Sequence, residues 1–427
     1  MNPPREKLEP RVAAQQVAQR LVEAGFRAYF AGGCVRDRLL GRQPEDYDIA
    51  TDARPEQIQA VFPKARGVGE AFGVMLVRHG GRTFEVATFR KDGPYHDGRR
   101  PSEVIFSDEI EDAKRRDFTV NGIFEDPVTG DPVDFVEGRA DIEARLIRAI
   151  RNPHERIAED RLRMLRAVRF AARLGFDIEP ITSAAIRAHA AELRAVSPER
   201  VGEEVRKMLA HPARVRAAGL VESHGLDGAI FGDCAGLQAG APSADCPRLA
   251  GLEAQADAIA ALAAWQVDRL ARRGAGEARP DATARERLVA GLRARLVLSN
   301  SETDALACIL SAREALLSGH EARPLATRIR LYAALGFDAA LAIVASEDRA
   351  LADRVGAEAA RELPDRRLPA PILDGNALIA EGLRAGPVFK ILLDLAMDAQ
   401  LERRIATRDE ALALVREHGR TDRPVGP

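Results

Sequence analysis

The pattern of apolar and polar residues divides the chain into a mixed first part and a longer helical part. In the first 150 residues, short β-rich runs are bounded by Gly, Asp or Pro, as strands usually are: AYFAGG, YDIAT, FGVMLVRHG and RTFEVATF. From about residue 155 onward Ala, Leu, Arg and Glu dominate, and few β-branched runs occur. The pattern therefore predicts an α+β fold, with strands and helices first and an all-α remainder.

Helix starts and connectors are also visible in the sequence. Ser197 followed by Pro198 predicts an N-cap before a proline in the first turn, and Thr407 with Glu410 has the spacing of a capping box. Stretches rich in helix-breaking residues predict connectors at 272–286 and 362–371, and a loop near 233–247.

Composition narrows the class of protein. With 427 residues, 46% hydrophobic and 30% charged, the chain is long enough for two to four domains. A net charge of -2 means that any nucleic-acid surface must come from local arginine clusters. The four cysteines are far apart without CxxC spacing, which argues against zinc and disulfides and favours a reducing cytoplasm. The start MNPPREKLEP lacks an apolar signal core, and no apolar run of about 18 residues occurs, so we expect neither secretion nor membrane insertion.

The segment FAGGCVRDRLLGRQPEDYDIAT has the pattern strand, glycine turn, short helix, loop and strand. Gly32 and Gly33 lie where a strand gives way to a helix, so backbone N–H groups can face a triphosphate, within reach of Arg36. Asp46 and Asp48 are two apart, which on a strand places both carboxylates on one face. Such a pair suits Mg²⁺, and two such metals can polarise the attacking and leaving oxygens of phosphoryl transfer.

A third carboxylate is available in the strand FEVATF. If that strand neighbours the DxD strand, Glu85 comes alongside Asp46 and Asp48 and completes a catalytic trio. Taken separately, a GG is usually a turn and a DxD is usually a solvated loop; their order and spacing favour the functional interpretation.

Two further motifs carry paired charges. KRRDFTVNG contains Arg115, Arg116, Asp117 and Asn121, and in isolation it could equally be a surface turn with a salt bridge. ERIAEDRLRMLRAVRFAARLGF predicts a single strong helix.

On that helix Asp160 and Arg163 are i,i+3 neighbours. Together they can accept a hydrogen bond from the exocyclic amine of cytosine or adenine and donate one to the adjacent ring position. UTP would instead turn a carbonyl toward the carboxylate, and each unpaired group costs about 1–3 kcal/mol. The usual alternative for an EDxxR segment is an exposed ion pair worth about 0.3–0.5 kcal/mol.

A stripe of four arginines follows on the same predicted helix. Spacings of three, three and four place them within roughly a third of the helix circumference, and they are Arg163, Arg166, Arg169 and Arg173. Solvated arginines are the common explanation of such a stripe, but beside the proposed base-reading pair they suit phosphates.

Taken together, these motifs resemble those of the class II tRNA nucleotidyltransferase and bacterial poly(A) polymerase family. GG-x-V-R-D…D-x-D, RRDFT-x-N and E-D-x-x-R occur in the family's order across residues 29–173, and SPERVGEEVRKML at 197–209 resembles the next family helix. The resemblance implies a polymerase-β-like head and nucleotide contacts by the residues that match its motifs, which are Arg116, Asp117, Asn121, Asp160, Arg163, Arg166 and Arg169.

The resemblance also implies a division of the chain and a reaction. We expect a catalytic head at 1–150, a base-recognising neck at 151–215, a body at 216–361 and a tRNA-binding tail at 362–427. The implied activity is template-independent addition of C74, C75 and A76 to the 3′ acceptor end of tRNA from CTP and ATP with Mg²⁺, in the cytoplasm. No protein partner is implied.

Alternatives remain open within and beyond the family. CC-adding members shorten the loop that corresponds to RKDGPYHDGRRPSEVIFSDEIED, so its length here favours full CCA addition over CC-only addition, and an A-only enzyme remains an alternative. GVGEAFGVMLV stands where poly(A) polymerases carry a GRRF-like segment. The chain has only eight histidines, and its one HD dipeptide, His96–Asp97, lies in the loop RKDGPYHDGRRPSEVIFSDEIED, so we expect no phosphohydrolase domain. A catalytically inactive tRNA binder or an antibiotic nucleotidyltransferase would need no such combination of DxD and EDxxR.

Overall fold

The computed structural model describes residues 8–68, 73–93, 104–232, 246–272, 282–381 and 386–421. Its contacts divide the chain into two compact units. The first unit comprises Met1–Asp245 and Ala294–Val297, and the second comprises Cys246–Arg293 and Leu298–Pro427. The division into head, neck, body and tail is finer than this and remains a prediction.

The first unit contains a mixed sheet. The strands of the described ranges are β1 Ala28–Ala31, β2 Asp48–Thr51, β3 Arg66–Gly67, β4 Val74–His79, β5 Arg82–Thr88, β6 Arg90–Asp92, β7 Val104–Phe106, β8 Phe124–Glu125, β9 Pro132–Val133, β10 Leu146–Ile147 and β11 Asp177–Ile178. Seven of them form one sheet in the order β3-β4-β5-β2-β1-β8-β9. β2 is antiparallel to β1 and parallel to β5. The four strands predicted from the sequence are thus confirmed as β1, β2, β4 and β5.

Helices account for most of the remaining described residues. The helices before residue 175 are α1 Pro10–Glu23, α2 Gly33–Leu39, α3 Pro55–Val61, α4 Glu109–Arg115, α5 Gly138–Ala144, α6 Pro153–Glu159 and α7 Arg163–Leu174. The later helices are α8 Pro180–His189, α9 Pro198–Leu209, α10 Arg214–Ser223, α11 Asp227–Phe231, α12 Pro247–Ala250, α13 Ala258–Arg272, α14 Ala282–Leu296, α15 Asn300–Leu317, α16 Leu325–Tyr332, α17 Phe337–Ala345, α18 Arg349–Glu362, α19 Gly375–Ala380, α20 Pro387–Leu401 and α21 Arg408–Thr421. The predicted helical remainder is confirmed, with the short β11 as an exception.

The sheet is held in place by apolar packing on both its strands and its flanking helices. A buried cluster joins β1, β2, α4 and β8 through Ala31, Ala50, Phe89, Ala113 and Phe124. α1 begins after Glu9, whose side chain accepts a hydrogen bond from the backbone N–H of Val12, and it buries an apolar stripe at helical spacing. This packing fixes the ends of β1 and β2, where the candidate site lies.

The long helix predicted over the EDxxR segment is interrupted, and the prediction of one continuous helix was wrong. α6 ends at Glu159 and α7 begins at Arg163. The carboxylate of Asp160 accepts a hydrogen bond from the backbone N–H of Leu162 at 3.1 Å. A local side-chain bond of this kind competes with the helical pattern, and apolar periodicity alone does not reveal it.

The predicted helix caps and connectors have mixed outcomes. The capping box before α21 is confirmed, because Thr407 N–H donates to Glu410 Oε2 at 2.9 Å and Glu410 N–H donates to Thr407 Oγ at 3.3 Å. Ser197 precedes α9 as predicted but makes no side-chain capping bond. The chain is non-helical at 363–374, as expected, whereas residues 282–286 of the other predicted connector belong to α14. Residues 233–245 and 273–281 lie outside the described ranges.

The second unit is a helical assembly with two apolar clusters. One surrounds Tyr332 and Phe337, and the other joins α19, α20 and α21 around Leu378 and Leu392. Among the described helices, none combines the length and apolar character needed to span a bilayer.

Candidate functional site

Three carboxylates come together at one end of the central strands. In the parallel pairing of β2 with β5, Ile49 lies opposite Val86, which places Asp48 and Glu85 side by side one residue earlier. Asp46 lies two residues before Asp48, in the loop that leads into β2. The expectation that both aspartates lie on the strand was therefore half right: β2 begins at Asp48.

The electrostatic surroundings of Asp48 link the three carboxylates. Its carboxylate is accessible to solvent and yet surrounded by protein atoms, and this burial raises its pKa. The negative charges of Glu85 and Asp46 raise the pKa further, whereas Arg116 lowers it. An aspartate whose pKa is raised by neighbouring acids gains stability from a bound cation.

None of the three carboxylates has a hydrogen-bond or ion-pair partner within the described ranges, and all three are exposed. Neighbouring carboxylates that form no ion pair are suitable ligands for a hard divalent cation. The described side chains include no group of three or more His, Cys, Asp or Glu that could hold a metal ion by itself. A cation here would therefore take one or two protein carboxylates and complete its shell with phosphate and water oxygens, as Mg²⁺ commonly does.

The glycine turn lies next to this cluster. Gly32 lies between β1 and α2 with φ 75° and ψ -126°, a conformation that residues with a side chain rarely adopt. A Cβ at this position would lie 3.1 Å from Nη1 of Arg116, so the turn leaves room for that guanidinium. The turn thus brings the backbone around Gly32 and Gly33 next to Arg116, as the phosphate-binding hypothesis requires.

Arg36 is less free than the sequence suggested. It is buried, donates from Nη1 to Asn121 Oδ1 at 2.5 Å, and donates to Asp37 Oδ1 from Nε and Nη2 at 2.9 and 2.7 Å. Burial lowers its pKa, and Asp37 counteracts this effect. Arg36 therefore joins α2 to the Thr119–Asn121 turn rather than extending into solvent.

Arg116 is held by a carboxylate that the sequence analysis did not single out. Asp112 accepts from Nε and Nη2 of Arg116 at 3.2 and 3.0 Å, and it also pairs with Arg115 at 2.7 Å. Although burial alone would raise the pKa of Asp112, the two arginines lower it. Asp112 and Arg116 are four residues apart at the C-terminal end of α4, and this i,i+4 spacing was the sequence feature that could have predicted their contact.

Asp117 is a junction of buried hydrogen bonds. Its Oδ2 accepts from Nε and Nη2 of Arg166 at 2.8 and 2.6 Å, and its Oδ1 accepts from Asn121 Nδ2 at 3.0 Å and Phe118 N at 2.9 Å. Burial alone would raise its pKa, but Arg166 and these hydrogen bonds hold the pKa at about 2. A carboxylate offers about four lone-pair positions, and all four are occupied. The predicted contact of Asp117 with a nucleotide would therefore require one of these bonds to be released.

The predicted base-reading pair lies at the junction of α6 and α7. Asp160 follows α6, and its two oxygens accept from Nη1 and Nη2 of Arg200 at 3.1 and 2.7 Å. With the additional bond from Leu162 N, three of its four lone-pair positions are occupied, and one on Oδ2 stays open. Arg163 donates from Nη1 to Arg156 O and to Glu159 Oε2, both at 2.7 Å. Its remaining N–H groups make no hydrogen bond in the described part of the chain.

The rest of the arginine stripe meets acids from other elements. Arg166 pairs with Asp117, and Arg169 donates to Glu204 of α9 at 2.5 Å. Both guanidiniums also lie over the ring of Phe170, at 5.3 and 4.3 Å from its centroid. Arg173 differs, because it is exposed and has no polar partner among the described residues. Most of the stripe is thus neutralised by the protein itself.

Arg200 and Glu204 are contacts that the sequence analysis missed. They lie one turn apart on α9, inside the segment SPERVGEEVRKML. Arg200 pairs with Asp160, and Glu204 pairs with Arg169. Their i,i+4 spacing indicated a shared face, but nothing in the sequence indicated which helix that face would meet.

Comparison with known proteins places this architecture in a family. Residues 28–148 match the model of the poly A polymerase head domain, and residues 175–231 match the model described as the probable RNA and SrmB- binding site of polymerase A. The CCA-adding enzyme of Geobacillus stearothermophilus is 45% identical over 217 residues, which is 51% of this chain and 54% of that protein. The CCA-adding enzyme of Lactobacillus helveticus is 44% identical over 198 residues, 46% of this chain and 49% of that protein. In these alignments the chain spans about half the length of the curated relatives it matches.

Similarity to solved structures extends over nearly the whole chain. The crystal structure of the Bacillus stearothermophilus CCA-adding enzyme in complex with CTP is 31% identical, with a TM-score of 0.77 over 97% of this chain and 99% of that one. The Thermotoga maritima CCA-adding enzyme complexed with tRNA_CCA has a TM-score of 0.65 at 18% identity and supports the fold alone. The head is a polymerase-β-like nucleotidyltransferase domain followed by helices, as the sequence predicted. The chain belongs to the class II tRNA nucleotidyltransferase and bacterial poly(A) polymerase family.

Proposed function

We propose that this protein adds C74, C75 and A76 to the 3′ end of tRNA from CTP and ATP without a nucleic-acid template. The observation that carries the proposal is the group of three exposed carboxylates, Asp46, Asp48 and Glu85, which have no hydrogen-bond or ion-pair partner among the described residues and lie beside Arg116 and the glycine turn. Family membership and the similarity to a CTP complex support it.

In the proposed mechanism Asp46 and Asp48 hold Mg²⁺, and Glu85 adds negative charge beside them. Bound Mg²⁺ supplies positive charge to the attacking 3′ oxygen and to the departing pyrophosphate. The backbone around Gly32 and Gly33 faces the triphosphate, and Arg116 lies next to it. Arg36 and Asn121 brace this turn through their mutual hydrogen bond, which positions the phosphate-binding backbone.

Selection of the monomer is assigned to Asp160 and Arg163. The open lone pair on Asp160 Oδ2 accepts one N–H from the exocyclic amine of cytosine or adenine, and a free N–H of Arg163 donates to the neighbouring ring acceptor. UTP would place a carbonyl against the carboxylate. The resulting mismatch costs about 1–3 kcal/mol for each unpaired group, which the protein alone can use for discrimination.

Arg166 and Arg169 complete the nucleotide site in this proposal, although both are paired with carboxylates before substrate binds. We assign the head to residues 1–150, the neck to 151–215, the body to 216–361 and a tRNA-binding tail to 362–427. The substrate would be met in the cytoplasm.

The test is incorporation of labelled CTP and ATP into tRNA transcripts that end at position 73, at C74 or at C75, with and without Mg²⁺. We expect two C and one A on the first transcript, one C and one A on the second, and a single A on the third. Extension that stops after CC, addition of A only to the C75 transcript, or a long A tract would each replace the proposal with the corresponding partial or poly(A) activity. Labelling of a small molecule alone, or no labelling, would refute nucleotidyl transfer to tRNA.

A further inference from the structure

A second groove with a different chemistry lies between α7, α9 and α10. Its volume is about 480 Å³, within the range that holds a single nucleotide-sized ligand. Basic side chains line part of it, namely Arg169, Arg173, Lys207 and His211. Small apolar side chains such as Ala172, Ala213 and Ala217 line the remainder. None of the candidate catalytic carboxylates borders it.

The positive charge of this groove is only partly compensated. Arg169 is neutralised by the buried Glu204, and Lys207 pairs with Glu203 in an exposed bridge at 2.7 Å. Exposed salt bridges of this kind contribute little to stability, so another anion can readily take the place of Glu203. Arg173 makes no hydrogen bond or ion pair with any described residue. The groove therefore presents the guanidinium of Arg173, which has no described partner, and the ammonium group of Lys207, whose ion pair with Glu203 is easily exchanged.

His211 adds a neutral donor to the same surface. Its Nδ1 accepts from the backbone N–H of Ala213 at 3.1 Å, which leaves the proton of the neutral ring on Nε2. Burial lowers the pKa of His211, and the positive charges of Arg173, Arg42 and Arg214 lower it further. Positive charges thus surround the ring, and an anion bound in the groove would counteract their lowering of the His211 pKa.

We propose that this groove binds a phosphodiester of the RNA strand, with the adjoining ribose on the alanine-lined surface; this inference rests on the proposed function. A phosphate group takes charge-assisted hydrogen bonds from Arg173 and Lys207 and a neutral one from His211 Nε2. The apolar lining has no aromatic ring for stacking and no amide for reading a base edge, so the grip is independent of sequence. An enzyme that acts on every tRNA needs contacts of this kind.

The position along α7 separates this contact from base selection. Arg173 lies ten residues after Arg163, which corresponds to roughly 15 Å along the helix axis. Arg173 thus lies at the opposite end of α7 from the base-reading junction, whereas Arg169, which the proposed function assigns to the nucleotide site, borders the groove on the side toward that junction. Phosphates of the incoming nucleotide are assigned to the glycine turn, so the groove is assigned to the RNA.

The experiment compares the double variant Arg173→Gln/Lys207→Gln with wild type and with Lys64→Gln/Arg139→Gln. The control carries the same change of charge on two exposed residues that have no side-chain partner in the described ranges. Binding of a fluorescent tRNA acceptor minihelix lacking CCA is followed by anisotropy over a series of KCl concentrations. Each lost phosphate contact lowers the slope of log K against log[salt] by about 0.7–0.9. We expect the slope to fall by about 1, with about tenfold weaker binding at 0.1 M salt.

Kinetics identify the source of the phosphate. The KM for the minihelix should rise about tenfold in the groove variant while the KM for CTP stays within twofold, and the control should match wild type in both. A raised KM for CTP with unchanged minihelix binding would overturn the inference in favour of a triphosphate contact. An unchanged salt slope, or an equal fall in the control, would also overturn it. His211→Asn keeps an acceptor for the Ala213 N–H but removes the Nε2 donor, so it should weaken minihelix binding with a melting temperature close to wild type, which separates binding from misfolding.

The outcomes also separate this inference from the proposed function. If wild type incorporates CCA but the groove variant keeps the wild-type salt slope, the groove assignment fails and the function stands. If wild type incorporates no nucleotide but the slope falls as expected, the function fails and the RNA-phosphate groove stands.

Discussion

Two sets of carboxylates in the first unit have opposite surroundings. Asp46, Asp48 and Glu85 are exposed and have no partner in the described ranges, and the pKa of Asp48 is raised by burial and by its neighbours. Asp117 and Glu204, which come later in the chain, are largely covered by protein and are paired with arginines. The first set leaves negative charge uncompensated, and the second set uses it to hold arginines in place.

This difference indicates how the proposed work is divided. Charges without partners destabilise the folded chain unless a ligand is present, so they suit metal binding and chemistry. Charges that are fully paired fix geometry, so they suit the selection of a monomer by shape and hydrogen bonding. Replacing residues from each set should therefore produce opposite results in activity and stability.

The largest effect is expected for Asp48→Asn. Loss of a carboxylate that holds the metal should reduce incorporation of both CTP and ATP at least 10³-fold, or about 4 kcal/mol in the activation free energy. Tm should stay level or rise, because a repelling charge has been removed. Single-turnover incorporation measures the loss of activity, and thermal unfolding measures Tm. Minihelix affinity is the control and should stay at the wild-type value. Turnover within tenfold of wild type would remove Asp48 from the catalytic set.

Asp117→Ala should show the opposite profile. Removing one partner of this partly buried ion pair leaves Arg166 without the carboxylate that accepts its hydrogen bonds, a loss of about 3 kcal/mol in the free energy of unfolding. Chemical denaturation measures this, and Asp46→Ala is the matched control, expected to change stability by less than about 0.5 kcal/mol. Equal losses in the two variants would contradict the contrast between the two sets.

Acid titration should isolate the contribution of Asp117. Its pKa is about 2 in the folded chain and 3.8 in the unfolded chain, so it stabilises the fold above about pH 4. That contribution, about 2 kcal/mol, is lost as the pH falls from about 4 to 2. The stability difference between wild type and Asp117→Asn should therefore shrink over this window. A constant difference between pH 5 and pH 2.5 would show that the charge of Asp117 is not what stabilises the network.

The smallest effect concerns selectivity. Arg200→Gln releases Asp160 from its bidentate partner and frees lone pairs that the wild type keeps occupied, so its carboxylate can rotate. We expect the ratio of kcat/KM for CTP over UTP to fall about tenfold, or about 1.4 kcal/mol, with kcat for CTP reduced less than threefold. Arg194→Gln, an exposed arginine without a described partner, should leave the ratio unchanged. An unaltered ratio in Arg200→Gln would mean that Arg200 has no positioning role.

The sequence predicted the local features better than the long-range ones. The four central strands and the Thr407–Glu410 capping box follow from short-range patterns, and the structure confirms them. The neighbouring positions of Asp48 and Glu85 are also confirmed, but they depend on strand pairing, which the sequence analysis stated only as a condition.

The ion pairs made by Asp117 and Asp160 could not have been predicted from the sequence. Asp117 meets Arg166 after 49 residues, and Asp160 meets Arg200 after 40. Such contacts depend on how helices pack, which periodicity does not specify. The break at Asp160 was missed for a related reason: a single bond to Leu162 N interrupts a pattern that is apolar and helical on both sides.

The carboxylates beside β2, which form no ion pair in the described ranges, also have a thermodynamic consequence. A cation that binds the folded chain but not the unfolded one adds RT ln(1 + [L]/Kd) to the free energy of unfolding. Under the proposed function Mg²⁺ would then act as a folding ligand as well as a reagent, and chelation would lower the free energy of unfolding. Wild type should melt at a higher temperature in Mg²⁺, whereas Asp48→Asn should not respond.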